Sequence, residues 1–115
     1  MRNFQNLTFW ERSHQLTLKI YLMTGTFPPA ESFGLSRQMR RSCTSIPSNI
    51  AEGCGRNTAA QLKHFLQIAT GSISELQYQL LLARDLGYIS GEDYSYCDFE
   101  LIEIRKMIFA YYNKI

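Results

Sequence analysis

The sequence predicts an all-α fold: an antiparallel up-down four-helix bundle in which residues 1–115 form a single domain. Three observations carry this. Apolar residues recur at three- and four-residue steps in four separate stretches. No stretch alternates apolar and polar residues as a half-buried strand would. Three prolines and seven glycines leave room only for short connections between long elements. An apolar content of 45% is enough for one buried core and too high for a disordered chain.

The first helix begins at Thr8, where Thr8 and Glu11 have the spacing of a capping box and Leu7 can act as its hydrophobic staple. Phe9, Leu16, Ile20 and Met23 share a face, with Trp10, Thr17, Tyr21 and Thr24 beside it; Pro28 and Pro29 mark the end. The second helix runs from Gly34 to about Gly53, with Leu35, Met39, Cys43 (or Ser42), Ile46 and Ile50 on its apolar face. It contains Pro47, whose ring removes the N–H that the Cys43 carbonyl would accept from, at a cost of about 3 kcal/mol. A kink is expected there, with Ser48 or water serving the freed carbonyl, and Gly53 or Gly55 should supply a left-handed terminal residue.

Thr58 and Gln61 form the next capping box. The third helix then runs to about Leu86 and stops at Gly87. Leu62, Leu66, Ala69, Ile73, Leu76, Leu80 and Ala83 make a heptad seam, and the helix should be roughly 40 Å long at ~1.5 Å per residue. Ala69, Gly71 and Ser72 are small enough to let a neighbour approach closely. Ser90 caps the fourth helix, with Glu92 and Asp93 in its first turn, and Tyr94, Cys97, Leu101, Ile104, Ile108 and Tyr111 form its seam. Phe99, Ile102 and Phe109 lie off that seam with Tyr112 flanking. Such a second apolar stripe predicts a homo-oligomer interface.

The net charge of +2 identifies no partner, but it is unevenly spread. Residues 1–64 hold 8 Lys and Arg against 3 Asp and Glu; residues 65–115 hold 4 against 7. This pattern predicts a basic surface on one part of the bundle and an acidic one on another. Cys43, Cys54 and Cys97 follow no paired spacing, so a reduced, cytoplasmic setting is expected. The first residues carry no apolar signal core, and no apolar run approaches the ~20 residues of a membrane span.

Catalytic chemistry has no visible constellation. His14 and His64 have no ligand partners at metal spacing, so neither a metal nor another cofactor is expected. Ser45 and Ser48 sit in no nucleophile elbow, and Gly53-Cys54-Gly55 follows a helix rather than a strand, unlike a phosphate loop. The expectation is that the protein is not an enzyme. Arg37 and Arg41 stand one helical turn apart, where like charges repel, so their face needs an acid or an anionic partner. A hairpin of the second and third helices would bring Glu75 beside them as a structural ion pair. Alternatively Arg12, Lys19, Arg37, Arg40, Arg41, Arg56 and Lys63 form a basic surface for phosphates, without aromatics interleaved for base readout.

The run Ser45-Ile46-Pro47-Ser48-Asn49-Ile50-Ala51-Glu52-Gly53, followed by Gly55-Arg56, resembles the "four helix bundle protein" family. Phe27-Pro28, Glu31, Phe33-Gly34-Leu35, Gln38, Arg40-Arg41, Phe65-Leu66, Ile68-Ala69, Gly71-Ser72, Glu75-Leu76 and Leu86-Gly87-Tyr88-Ile89 extend the resemblance over nearly the whole chain. This family comprises proteins encoded in intervening sequences of bacterial 23S rRNA genes and the accessory variability determinant of diversity-generating retroelements. Pro47, Asn49, Glu52, Gly53, Gly55 and Glu75 are expected to be structural, and the resemblance implies a four-helix bundle assembling as a barrel-like homopentamer. In the retroelement branch it implies binding of RNA or DNA and partnership with a reverse transcriptase. It supplies no catalytic residue. The expected function is thus a noncatalytic oligomeric bundle that binds nucleic acid or an RNA-handling protein. The alternative is a structural or protein-interaction bundle with no nucleic-acid role.

Overall fold

Each periodic stretch is a helix in the computed structural model, which describes residues 2–115. The helices are α1 (Thr8–Thr24), α2 (Leu35–Cys54), α3 (Ala59–Asp85) and α4 (Gly91–Tyr112), with 3-10 turns at Phe4–Asn6 and Pro29–Glu31. No strand occurs among the described residues. Each helix packs on two neighbours, in the cyclic order α1, α2, α3, α4, and the diagonal pairs stay apart. Cross-helix pairs fix the directions. Arg12 meets Glu100 while Lys19, one heptad on, meets Asp93, one heptad back. Ser42 meets Gln79 while Ser45 meets Ser72, and Gln67 meets Tyr112 while Gln77 meets Asp98. Neighbours are therefore antiparallel, as short connections require.

The core is what the heptad spacing specified. Leu62, Leu66, Ala69, Ile73, Leu76, Leu80 and Ala83 of α3 are wholly buried, as are Met39, Cys43, Ile46 and Ile50 of α2. α4 contributes Cys97, Leu101, Ile104 and Ile108, and α1 contributes Phe9, Leu16, Ile20 and Met23. Fully burying a side chain of the Leu, Ile or Met type is worth about 1.5–3 kcal/mol, so this seam dominates stability. Cys43, Cys54 and Cys97 are free thiols inside it. Burial holds Cys43 up to about 11 and Cys97 up to about 12, so both stay protonated at neutral pH.

Several helix ends depart from the sequence expectations. Thr8 is the first helical residue rather than the cap, and Leu7 in the cap position offers no side-chain acceptor, so the Thr8–Glu11 box does not form. The chain enters α1 through the 3-10 turn, where Asn3 accepts from the Gln5 N–H at 3.0 Å and Phe4 packs edge-on to Trp10. α1 ends at Thr24, before the proline pair. Thr58 does cap α3 by accepting from the Gln61 N–H, and Ser90 caps α4 by accepting from the Asp93 N–H. Gly87 has φ +79° and closes α3 in the left-handed region, the conformation that favours glycine.

Neither Gly53 nor Gly55 is left-handed; α2 ends on Gly55 at φ −83°. Gly53 is needed for another reason. A Cβ there would lie 2.9 Å from Leu62 Cδ1 and 3.0 Å from Phe65 Cβ, so the glycine lets α3 approach α2 at their shared turn. Gly71 does the opposite of what its size suggested: a Cβ on it would meet nothing within 4 Å, because it faces an open groove. Helical structure continues from Leu35 to Cys54 past Pro47, so the expected kink does not interrupt the helix. The Cys43 carbonyl freed by Pro47 is approached by Thr17 Oγ1 of α1 at 3.5 Å rather than by Ser48. That contact is long because the Thr17 hydroxyl donates mainly to the Ser13 carbonyl, at 2.8 Å.

Glu31 ties the open end of the bundle together. Its Oε1 accepts from the Leu35 N–H at 3.2 Å, a carboxylate at a helix N-terminus, and its Oε2 accepts from the Tyr88 hydroxyl at 2.9 Å. The bond to Glu31 holds the Tyr88 phenol above its ordinary pKa. No helix among the described residues is long and apolar enough to cross a membrane.

Candidate nucleic-acid interface

Along α2, Arg37, Arg40, Arg41, Thr44, Ser45 and Ser48 follow at three- and four-residue steps and so share one flank. With Tyr21 of α1 and Ser32 of the preceding loop they line a cleft of about 520 Å³. Arg40 is fixed in it. Its Nε donates to Thr24 Oγ1 at 2.8 Å, one Nη donates to the Tyr21 carbonyl at 3.1 Å, and the guanidinium lies 4.7 Å over the Tyr21 ring. A guanidinium has five N–H donors, so Arg40 keeps donors to spare while its position is already set. The aromatic partner that the sequence of α2 did not reveal is thus supplied by α1.

Arg37 and Arg41 are exposed, and no ion pair of the described residues includes either. The expected pair with Glu75 is not made: Glu75 reaches the neighbouring cleft but stays outside ion-pair distance of both arginines. Deeper in the arginine cleft lies Thr44. Its Oγ1 is the one buried side-chain polar atom without a hydrogen-bond partner among the described residues. Helical threonines elsewhere in this protein bond back to the preceding turn, Thr17 to Ser13 and Thr24 to Ile20. Thr44 does not, and a buried hydroxyl left unpaired costs about 1–3 kcal/mol. Three cations and one unused hydroxyl therefore converge where no acid stands.

A second cleft of about 370 Å³ adjoins the first between α2 and α3, lined by Gln38, Arg41, Ser42, Ser45, Ser72, Glu75 and Gln79. Arg41 and Ser45 belong to both clefts. The walls are held by a network: Ser42 donates to Gln79 Oε1 at 2.6 Å, and Ser45 Oγ accepts from Ser72 at 2.8 Å and from Asn49 Nδ2 at 2.9 Å.

The other basic candidates fall elsewhere. Arg12 makes a two-point pair with Glu100 at 3.0 and 2.8 Å, and this hydrogen bonding raises its pKa further. Lys19 pairs with Asp93 at 3.2 Å. Arg56 pairs with Glu52 at 3.5 Å and lies over Phe65, and Lys63 lies over the Tyr112 ring, both near the α2–α3 turn. The seven residues thus occupy three places, and only Arg37, Arg40 and Arg41 converge. Thr44, Ser45 and Ser48 were missed as companions, although helical spacing from Arg37 and Arg41 puts them on the same flank. Of the apolar candidates, Phe99, Ile102 and Phe109 are exposed, and Phe109 and Tyr112 line a groove of about 520 Å³ between α3 and α4. No group of His, Cys, Asp and Glu side chains suited to a metal ion exists among the described residues.

Comparison with known proteins places this architecture. A family model described as "23S rRNA-intervening sequence protein" matches residues 5–110. Among solved structures, the chain is similar to a protein of unknown function from the S23 ribosomal protein family of Bacteroides thetaiotaomicron VPI-5482. Identity is 27% and the TM-score 0.83, over 91% of this chain and 95% of that one. No curated protein matches.

Proposed function

The chain belongs to the 23S rRNA-intervening sequence protein family, and from that premise we propose that it is a noncatalytic helical-bundle protein that binds RNA through its phosphates at Arg37, Arg40 and Arg41. The observation that carries this reading is the imbalance in the α2 cleft. Two exposed guanidiniums without an acid flank a third that is held in place, above a buried hydroxyl without a partner. Two like charges one helical turn apart repel each other, and a phosphate between them turns that repulsion into attraction. The cations and hydrogen-bonding groups of the two clefts support a binding role.

Fluorescence anisotropy with a structured RNA, measured across salt, tests this. Three phosphate contacts predict that log K falls with log salt at a slope of about −2 to −3. Arg37→Gln/Arg41→Gln should remove most of that slope and weaken binding at least about tenfold at 0.1 M salt. An absence of binding at low salt, or a double variant that binds like the wild type, overturns the reading.

The exposed stripe Phe99, Ile102 and Phe109 on α4 favours self-association as the second part of this proposal. A ring of subunits, a pentamer on the family resemblance, would repeat the arginine cleft and multiply weak phosphate contacts into avidity. It would also offer a surface to an RNA-handling protein such as a reverse transcriptase. Light scattering at micromolar concentration checks assembly: a monomer there rejects it.

A further inference from the structure

We propose that the cleft between α2 and α3 holds the ribose next to the bound phosphate, with the Glu75 carboxylate accepting the 2′-hydroxyl, so that the protein selects RNA over DNA. This rests on the preceding reading of the arginine cleft and adds what lies beside the phosphate.

Contiguity comes first. Arg41 and Ser45 line both clefts, so a group seated on the arginines continues naturally over Ser45 into the second cleft. Chemistry comes second. Ser45 Oγ already accepts two hydrogen bonds, from Ser72 and Asn49, which leaves its own proton to donate outward. The Gln79 carbonyl is taken by Ser42, so its amide nitrogen is the end left to donate. Both groups suit ligand oxygens. Glu75 is the opposite: an acceptor-only side chain on the rim, in no ion pair although Arg41 lines the same cleft. A ligand that satisfies the whole set needs a phosphate, further acceptor oxygens and one hydroxyl donor, and a ribonucleotide carries all of these within a few bonds.

The lining also decides between sugar and base. Every residue of the second cleft is polar or charged, and none offers an aromatic or aliphatic plane. A base would need a plane to stack on, and the one plane in this cleft, the Arg41 guanidinium, is engaged by the phosphate on the preceding reading, whereas a pentose needs only hydrogen bonds. The 2′-hydroxyl is the group that distinguishes RNA from DNA at such a site.

Anisotropy titrations with an RNA oligonucleotide, the DNA of the same sequence and its 2′-O-methyl RNA decide the matter, on wild type and on Glu75→Ala. The wild type should prefer RNA over both analogues by about tenfold, the scale of one hydrogen bond to a charged group. Glu75→Ala should bring all three to similar affinity with the salt slope retained. Because Glu75 is exposed on α3 and alanine favours helix, circular dichroism should show an unaltered fold. Equal wild-type affinity for RNA and DNA overturns the ribose assignment while leaving the phosphate reading intact. So does a Glu75→Ala variant that gains affinity for all three alike, since the carboxylate would then be only a repelling charge. If none of the three binds at low salt, the phosphate reading itself fails and the ribose assignment falls with it.

Discussion

Arg12 and Lys19 stand on α1 paired with Glu100 and Asp93 opposite them, whereas Arg37 and Arg41 stand on α2 in no ion pair. Both pairs come from the basic first part of the sequence, and linear charge patterning treats them alike. Folding separates them. α4 carries most of the acids of residues 65–115 and lies beside α1, so its carboxylates meet the α1 cations at matching heptad steps. α2 neighbours α1 and α3, and α3 presents to it Ser72, Gln79 and Glu75, the last in no ion pair. A charge asymmetry along a chain therefore does not predict a basic face. It predicts which helices neutralise each other, and the functional candidates are the cations left over.

The comparison makes a sharp demand on Arg12. Arg12→Gln leaves the Glu100 carboxylate, whose side chain is 16% exposed, without its cation. Losing such a two-point charged pair should cost about 1–2 kcal/mol, toward the low side because Arg12 itself is 31% exposed and screened. Urea unfolding should show the lower midpoint with an unchanged m-value, and RNA affinity should hold. If Arg12→Gln weakened RNA binding as much as the Arg37→Gln/Arg41→Gln change, the two faces would not differ in role.

Thr44→Val probes the other face with the opposite sign. Removing a buried hydroxyl that has no partner should raise the stability of the free protein by about 1 kcal/mol, since the valine keeps the β-branched shape. The same change should weaken RNA binding, because turning the Thr44 side chain brings its now buried hydroxyl to the phosphate and valine has none to bring. A stability gain coupled to a binding loss is the signature of a group held unsatisfied for a ligand. A stability loss would mean that Thr44 serves the bundle alone.

Much of this was legible before the structure. Heptad spacing named the α3 seam residue by residue, because a buried stripe on a helix leaves a period that nothing else produces. Ser90 and Thr58 were readable as caps for a similarly local reason. Thr8 misled because Thr-x-x-Glu describes a spacing, while the cap position belongs to Leu7 once the 3-10 turn at Phe4–Asn6 sets the entry. The glycines misled for the converse reason. Gly53 looks like a helix stop but serves close approach to Leu62 and Phe65, a long-range fact no local pattern holds. At the site, the arginines were visible and their fates were not. Whether a cation is spent depends on which helix lies opposite, and the distances between Glu75 and the arginines are set by packing rather than by sequence. The Thr44, Ser45 and Ser48 flank could have been read from helical spacing alone.

Lys19 gives the smallest and most discriminating expectation. Its pair with Asp93 is more open than the Arg12 pair, with side chains 34% and 42% exposed, and such pairs contribute about 0–1 kcal/mol. Asp93 has a second source of stabilisation, since it sits in the first turn of α4 where the helix dipole favours a carboxylate. Lys19 in turn lies 5.0 Å over the Tyr96 ring, so part of what Lys19→Gln removes is contact with the ring rather than with the acid. Lys19→Gln should therefore cost only about 0.5 kcal/mol, and a double-mutant cycle with Asp93→Asn should show a coupling smaller than that. RNA affinity should not change. Were Lys19→Gln to lower the salt slope of RNA binding, the α1 face would be reading phosphates despite its acids, and the contrast with α2 would be one of degree.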